Sequence, residues 1–169
     1  MSDSPQHEQS EQSEQKRVVD LLEGSGIAML TYVDPSGKLV SKPMATQETE
    51  YDGTLRFIAE RSSDKVVALQ ADPRVNISYS NHGSWVSVAG TAAVVNDVAK
   101  LTELWDTFTG AWLEGGPDNP ENILIEVTPD SAEYWDAPGG SKAVQLANLV
   151  KAKLTGSRVE GDNAQVDLG

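Results

Sequence analysis

The residues best suited to chemistry in this chain are two lysines, each in a setting that does not ask for one. Lys65 lies in "RSSDKVVALQ", where Ser62 or Ser63 can start a helix and Val66, Val67 and Leu69 form its apolar side. A cation in the first turn faces the positive end of the helix dipole, at a cost of about 0.3–1 kcal/mol. One explanation is local: a serine hydroxyl caps the helix and Asp64 offsets the charge. The other is an anion, because free backbone N–H groups, a hydroxyl and an ammonium group can converge on a phosphate. Lys42 lies in "SKPM", between apolar stretches of a strand. Pro43 after it has no N–H for a ladder, which suggests an edge or irregular position. A lysine can snorkel at such an edge. Side by side, Lys42 and Lys65 would make a cationic pocket.

That pocket would stand out, because the 169-residue chain carries 13 basic and 26 acidic side chains, a formal charge of −13. Such a field repels nucleic acid and anionic membranes, so neither is an expected partner. There is no cysteine, which excludes thiolate catalysis, redox switching and cysteine zinc sites. The two histidines, His7 and His82, are far apart, so no metal cluster or triad base is expected. No pair of acidic residues has a spacing that singles it out for acid–base work, and no catalytic residue is assigned. "GSGIAM" begins like a dinucleotide fingerprint, but Met29 replaces the third glycine and the stretch precedes a strand. No apolar run approaches the roughly 20 residues that span a bilayer. The N-terminus lacks a signal-peptide layout, so a cytoplasmic protein is expected.

The elements that must position the lysines can be read in outline. Residues 1–15 are polar after Met1 and read as a disordered tail. A short helix with Val18, Val19, Leu21 and Leu22 follows, stopped by Gly24. "GIAMLTYV" and "LVSKPMAT" are strands joined by a "DPSGK" turn, and "TLRFIAE" is another. "RVNISYS" alternates cleanly, and "SWVSVAGTAAVV" is a long strand of small residues. Residues 98–113 read as one helix with Val98, Leu101, Leu104 and Trp105 on its apolar side. "NILIEVTP" and "AEYWD" read as two further strands, residues 138–156 as a C-terminal helix, and 157–169 as a flexible tail. About seven short strands in mostly hairpin order fit a small antiparallel barrel better than a doubly wound sheet.

From Lys16 to Asp136 the chain resembles the flavin-binding split-barrel proteins of the pyridoxamine 5'-phosphate oxidase-like superfamily, most of all its general stress protein group. The resemblance rests on "SKPMAT", "LRFIAERSSDK", "ADPRVNISYS", "SWVSVAGTAAVV", "LTELW" and "GGPDNPENILIEVTPDSAEYWD", in that order. It implies a mainly β (α+β) domain over 16–137, a six-stranded antiparallel split β-barrel with flanking helices. It also implies a homodimer with FMN, or FAD, at the interface. Lys42 then stands where the family has an arginine on the flavin phosphate, and Ser63 and Lys65 match the family's "S-x-K" phosphate contact. Pro43, Met44, Ala45 and Thr46 match the strand beside the isoalloxazine ring. Ile58 and Ala59 fall on the facing strand, and Trp85 takes a position near the flavin. Lysine at position 42 loses the arginine fork, and Ala59 replaces a frequent threonine. Gln47 stands where the true oxidases have a substrate-phosphate lysine, so vitamin-forming oxidase activity is not expected. The resemblance implies a flavin-binding protein, an oxidoreductase of unassigned substrate or else a non-catalytic flavin or phosphorylated-ligand module.

Overall fold

A computed structural model of the chain describes residues 5–47, 49–81, 83–136 and 162–167. Its centre is built by period-two alternation. Strand β1 (Ile27–Val33) buries Ala28, Leu30 and Tyr32 and turns Ile27 and Met29 outward. Strand β2 (Leu39–Ala45) returns beside β1, and β4 (Arg74–Asn81) buries Val75, Ile77 and Tyr79 on its other side. Strand β5 (Ser84–Val95) is the hairpin partner of β4, and the long β6 (Asn122–Asp136) runs against β5. The far edge of β6 is shared. Its first half pairs with β3 (Leu55–Glu60) and its second half with β7 (Asp162–Asp167).

All these pairings are antiparallel, in the order β2-β1-β4-β5-β6-β3 with β7 as a seventh strand. The ends, β2 and β3, approach each other without pairing, so the sheet curls but stays open. The expected antiparallel β architecture with flanking helices is therefore present, with one more strand than the six of the family fold. Inside the curl Leu30, Phe57, Ile77, Val88, Ile123 and Ile125 are fully buried. Burying a side chain of this size stabilises by about 1.5–3 kcal/mol.

The helices cover the openings. Helix α1 (Pro5–Glu23) adds Val18, Leu21 and Leu22 to the core. It starts ten residues before the end of the expected disordered tail, and glutamine and glutamate favour helix once the Val18–Leu22 turn is anchored. Helix α2 (Asp64–Ala71) buries Val66, Ala68 and Leu69, while Val67, expected on the apolar side, is 53% exposed. Helices α3 (Val98–Leu104) and α4 (Thr107–Trp112) lie over the outer side of β3 and β6, where Leu101 and Leu104 meet Ile58 and Leu124.

Three further expectations need correction. The single helix over 98–113 breaks after Leu104, because the Asp106 carboxylate accepts the Thr109 N–H (2.6 Å) and caps a new helix. "NILIEVTP" and "AEYWD" are one strand, not two, carried past Pro129 by an irregularity opposite Ala89 and Gly90. Within the expected flexible tail, residues 162–167 are strand β7, where Val166 is buried against the core. The expected C-terminal helix over 138–156 lies outside the described residues. Among those described, no helix is long and apolar enough to cross a membrane.

Candidate functional site

The opening between β2 and β3 is where the fold leaves room for a ligand. A cavity of about 350 Å³ lies there. One wall is β2, through Pro43, Met44 and Ala45, continued by Ile27 and Gln47. The other is β3, through Ile58, Ala59 and Glu60, continued by Phe108, Thr109, Trp112 and Leu113 of α4 and its end. Lys65 closes one end. A second cavity of about 50 Å³, between Leu22, Phe57 and Tyr79, has room only for water.

Lys65 is the second residue of α2. Ser63 holds the cap position (φ −69°, ψ 146°), but its hydroxyl donates to the Glu60 carbonyl (2.7 Å) and caps nothing. The expected serine cap is thus absent, and the hydroxyl instead ties the helix start to the end of β3. The contrast with α3 and α4 is informative, since Asp97 and Asp106 cap those helices through the Lys100 and Thr109 N–H groups. The uncapped start belongs to the helix that carries the lysine. Partial burial holds the Lys65 ammonium below the usual lysine range. Glu60 and Asp64 oppose that shift, while the nearby charge of Lys42 adds to it. The structure therefore brings the two lysines within each other's field.

Lys42 does not line the cavity, and it comes within the field of Lys65 through strand register. It lies opposite Leu30 on the core-facing side of β2, between Val40 and Met44, yet is exposed because β2 ends the sheet. Pro43 pairs with Met29 on the outer side, and an end strand tolerates its missing N–H. Ile58 and Ala59 are both buried at the opposite wall. Thr46 follows the first wall but lines the smaller cavity instead, and its hydroxyl donates to the Ser25 carbonyl while its N–H donates to Gly26 O (3.1 Å). Trp85 lies outside the cavity of its own chain. It pairs with Trp135 of β6 on the outer face of the sheet, 48% exposed.

Sequence reading missed the α4 side of the cavity. Phe108 and Trp112 stand one turn apart with ring centroids 6.1 Å apart and tilted by 51°. Read as one helix, residues 98–113 put the apolar side on Val98 and Leu101 and hid this pair. Asp106 followed by threonine was the available signal, since aspartate is a strong helix starter. A clamp holds the segment after α4. Asn122, 1% exposed, donates to the carbonyls of Glu114 (2.9 Å) and Gly116 (2.7 Å), and the Arg61 side chain donates to Pro120 O (2.9 Å).

In chemical terms the site offers the Lys65 ammonium group, with the charge of Lys42 nearby, and an uncapped helix start at one end, and largely apolar walls along its length. Those residues fit a phosphorylated ligand with a flat ring. Among the described residues no group of histidine, cysteine or carboxylate side chains could hold a metal ion.

An open antiparallel split barrel with a cationic helix start beside its slit defines a class of small β proteins, and sequence comparison narrows the class. The pattern of the family described as "Pyridoxamine 5'-phosphate oxidase like" matches residues 13–160, and the chain belongs to that family. It is 33% identical over 117 residues to protein bli-3 of Neurospora crassa, a match covering 63% of this chain and 56% of that protein. The chain thus spans little more than half the length of that relative. Among solved structures, a candidate general stress protein 26 from Jannaschia sp. CCS1 is 28% identical, with a TM-score of 0.73 over 92% of this chain and 99% of that one. The general stress FMN/FAD binding protein of Xanthomonas citri is 25% identical, with a TM-score of 0.60 over 71% of this chain and 85% of that one.

Proposed function

We propose that this protein binds a flavin nucleotide, FMN in the first instance, in the slit between β2 and β3, and that it works as a flavin-dependent oxidoreductase. The observation that carries the reading is Lys65 at the end of a 350 Å³ cavity, on a helix start that no side chain caps and within the field of Lys42, in a chain of charge −13. An anion is what such a place stabilises. The Xanthomonas relative, whose name states FMN/FAD binding, supports the choice of flavin among phosphorylated ligands.

The flavin would supply the redox chemistry, and the chain's own residues bind and orient it. Lys65 and Lys42 neutralise the phosphate. Pro43, Met44 and Ala45 flank the ring on one side, and Ile58 and Ala59 close the other and exclude water. A homodimer completes the reading. Ile27, Met29, Trp85 and Trp135 share the outer face of the sheet at 39–49% exposure, and a second copy would cover them. In that arrangement the partner's Trp85 approaches the slit that its own chain leaves out of reach.

The test begins with the visible spectrum of the purified protein, followed by titration of the apoprotein into FMN with flavin fluorescence as the readout. Quenching is expected, weakened about ten- to hundredfold by Lys65→Ala, the size of one charge-assisted hydrogen bond. A colourless protein that leaves the fluorescence unchanged would sink the reading. Anaerobic NADPH then separates an oxidoreductase, which bleaches the bound flavin, from a module that only holds it.

A further inference from the structure

We propose that Phe108 and Trp112 of α4 form a substrate subsite beside the flavin, one that takes a flat aromatic ring carrying no negative charge. The inference rests on the flavin reading above and deepens it by naming a substrate class.

That reading grips the flavin with β2 and β3 and leaves the α4 continuation of the slit without a role. Phe108 and Trp112 line the same cavity, so a ring held on α4 shares that space with the flavin. Both aromatics are large and open, Phe108 at 51% exposure and Trp112 at 74%. Other residues hold α4 to the barrel. Thr109 is buried, and Leu113 packs against the outer cluster around Leu101 and Leu124. Gly110 lies so close to Trp105 that a Cβ there would come within 3.3 Å of the indole Nε1. Just past the helix, Asn122 donates to the carbonyls of Glu114 and Gly116 and fastens the segment. The aromatic surface is thus presented on a fixed support.

The geometry of the pair leaves ring faces free. The centroids are 6.1 Å apart, and the 51° tilt keeps either ring from covering the other. A third flat ring can therefore stack on the indole and gain the aromatic contact as well as the burial of apolar area. Charge sets the second property of the ligand. Residues 105–122 carry four acidic side chains and no basic one, and Glu60 adds a carboxylate to the cavity lining. The ammonium group in that lining, Lys65, is engaged by the flavin phosphate in the reading above. An anionic substrate on α4 would meet like charge, whereas an uncharged ring would not.

The experiment titrates three ring probes into the FMN-loaded protein by calorimetry and follows the visible absorption of the bound flavin. Naphthylmethanol is flat and uncharged, naphthoate is the same ring with a negative charge, and the fully hydrogenated decalin analogue is uncharged but not flat. Naphthylmethanol should bind and shift the flavin absorption, and the other two should each bind about tenfold more weakly. The Phe108→Ala/Trp112→Ala double variant should lose about tenfold in naphthylmethanol affinity while holding FMN as tightly as the wild type. Trp112→Phe should keep most of the affinity, which ties the loss to stacking and not to altered folding. Naphthoate binding as tightly as naphthylmethanol, equal binding of the decalin analogue, or an affinity unchanged in the double variant would overturn the proposal and leave the flavin reading intact. Binding that leaves the flavin absorption unmoved would also overturn it, since the ring would then not lie beside the flavin. A double variant that loses FMN in the same proportion would assign the aromatics to the cofactor, and one that changes oligomeric state would assign them to a subunit contact. Either result ends the proposal. A wild-type protein that takes up no FMN would refute the underlying reading itself.

Discussion

At Lys65, burial and the charge of Lys42 both favour the neutral amine, and Glu60 and Asp64 offset them only in part. The sign of the pH dependence follows. Without ligand, the unfolded chain holds the Lys65 proton more tightly than the folded one. The cost of the charged amine is therefore present at low pH and relieved as pH rises through the lowered folded pKa toward that of an ordinary lysine. A bound phosphate reverses the preference, because it interacts favourably only with the ammonium form. FMN affinity should be full below the lowered folded pKa and fall as pH rises through it. Titrations from neutral pH up toward the ordinary lysine range should show this decline in the wild type and a flatter profile in Lys65→Arg, whose side chain does not titrate there. A wild-type profile as flat as that of the arginine variant would remove Lys65 from the phosphate.

Among the elements, the long β5–β6 ladder controls how far the sheet curls, and its irregularity lies at Gly90. Ala89 pairs with Ser131 and Gly90 with Pro129, so Asp130 is the extra residue. A Cβ on Gly90 would lie 2.5 Å from the Thr128 carbonyl oxygen and 3.2 Å from Pro129 Cα, both backbone atoms that cannot swing aside. Gly90→Ala should destabilise the fold by about 1–3 kcal/mol, read as a lower urea midpoint with an unchanged slope. An unchanged midpoint would mean that the ladder shifts at little cost. The same place shows what sequence could and could not reveal. Alternation made β1, β4 and β5 legible, since each has one face in the core. Pro129 and Asp130 are turn-forming residues and read as a break in β6, because nothing local says that β5 supplies a matching glycine. Helix α4 was hidden by the apolar run before it. Strand β7 was hidden because its only buried side chain among those described is Val166, and its pairing depends on the free half of β6. Lys42 and Lys65 could be singled out as misfits to their own elements, whereas the influence of one charge on the other depends on register and on the open slit.

At the scale of the molecule, a charge of −13 opposes association, so a dimer needs an apolar face to overcome it. The outer face offers one in an uneven form. Ile27 and Met29 stand on β1, Trp85 and Trp135 pair across β5 and β6, and β4 between them presents the small polar Ser78 and Ser80. Large apolar groups flanking a low polar strip suit a second copy turned about a twofold axis, since each tryptophan pair can then meet the other chain's flat centre. Trp135 is 40% exposed and does not line the cavity, so it separates assembly from direct binding. Trp135→Glu should convert the proposed dimer to a monomer in light scattering while circular dichroism remains that of a folded chain. If the partner's Trp85 closes the slit, flavin affinity should fall with the dimer and recover on raising protein concentration. A monomeric wild-type protein would refute the assembly. A variant that is monomeric yet binds flavin as tightly as wild type would show that each slit is complete within one chain.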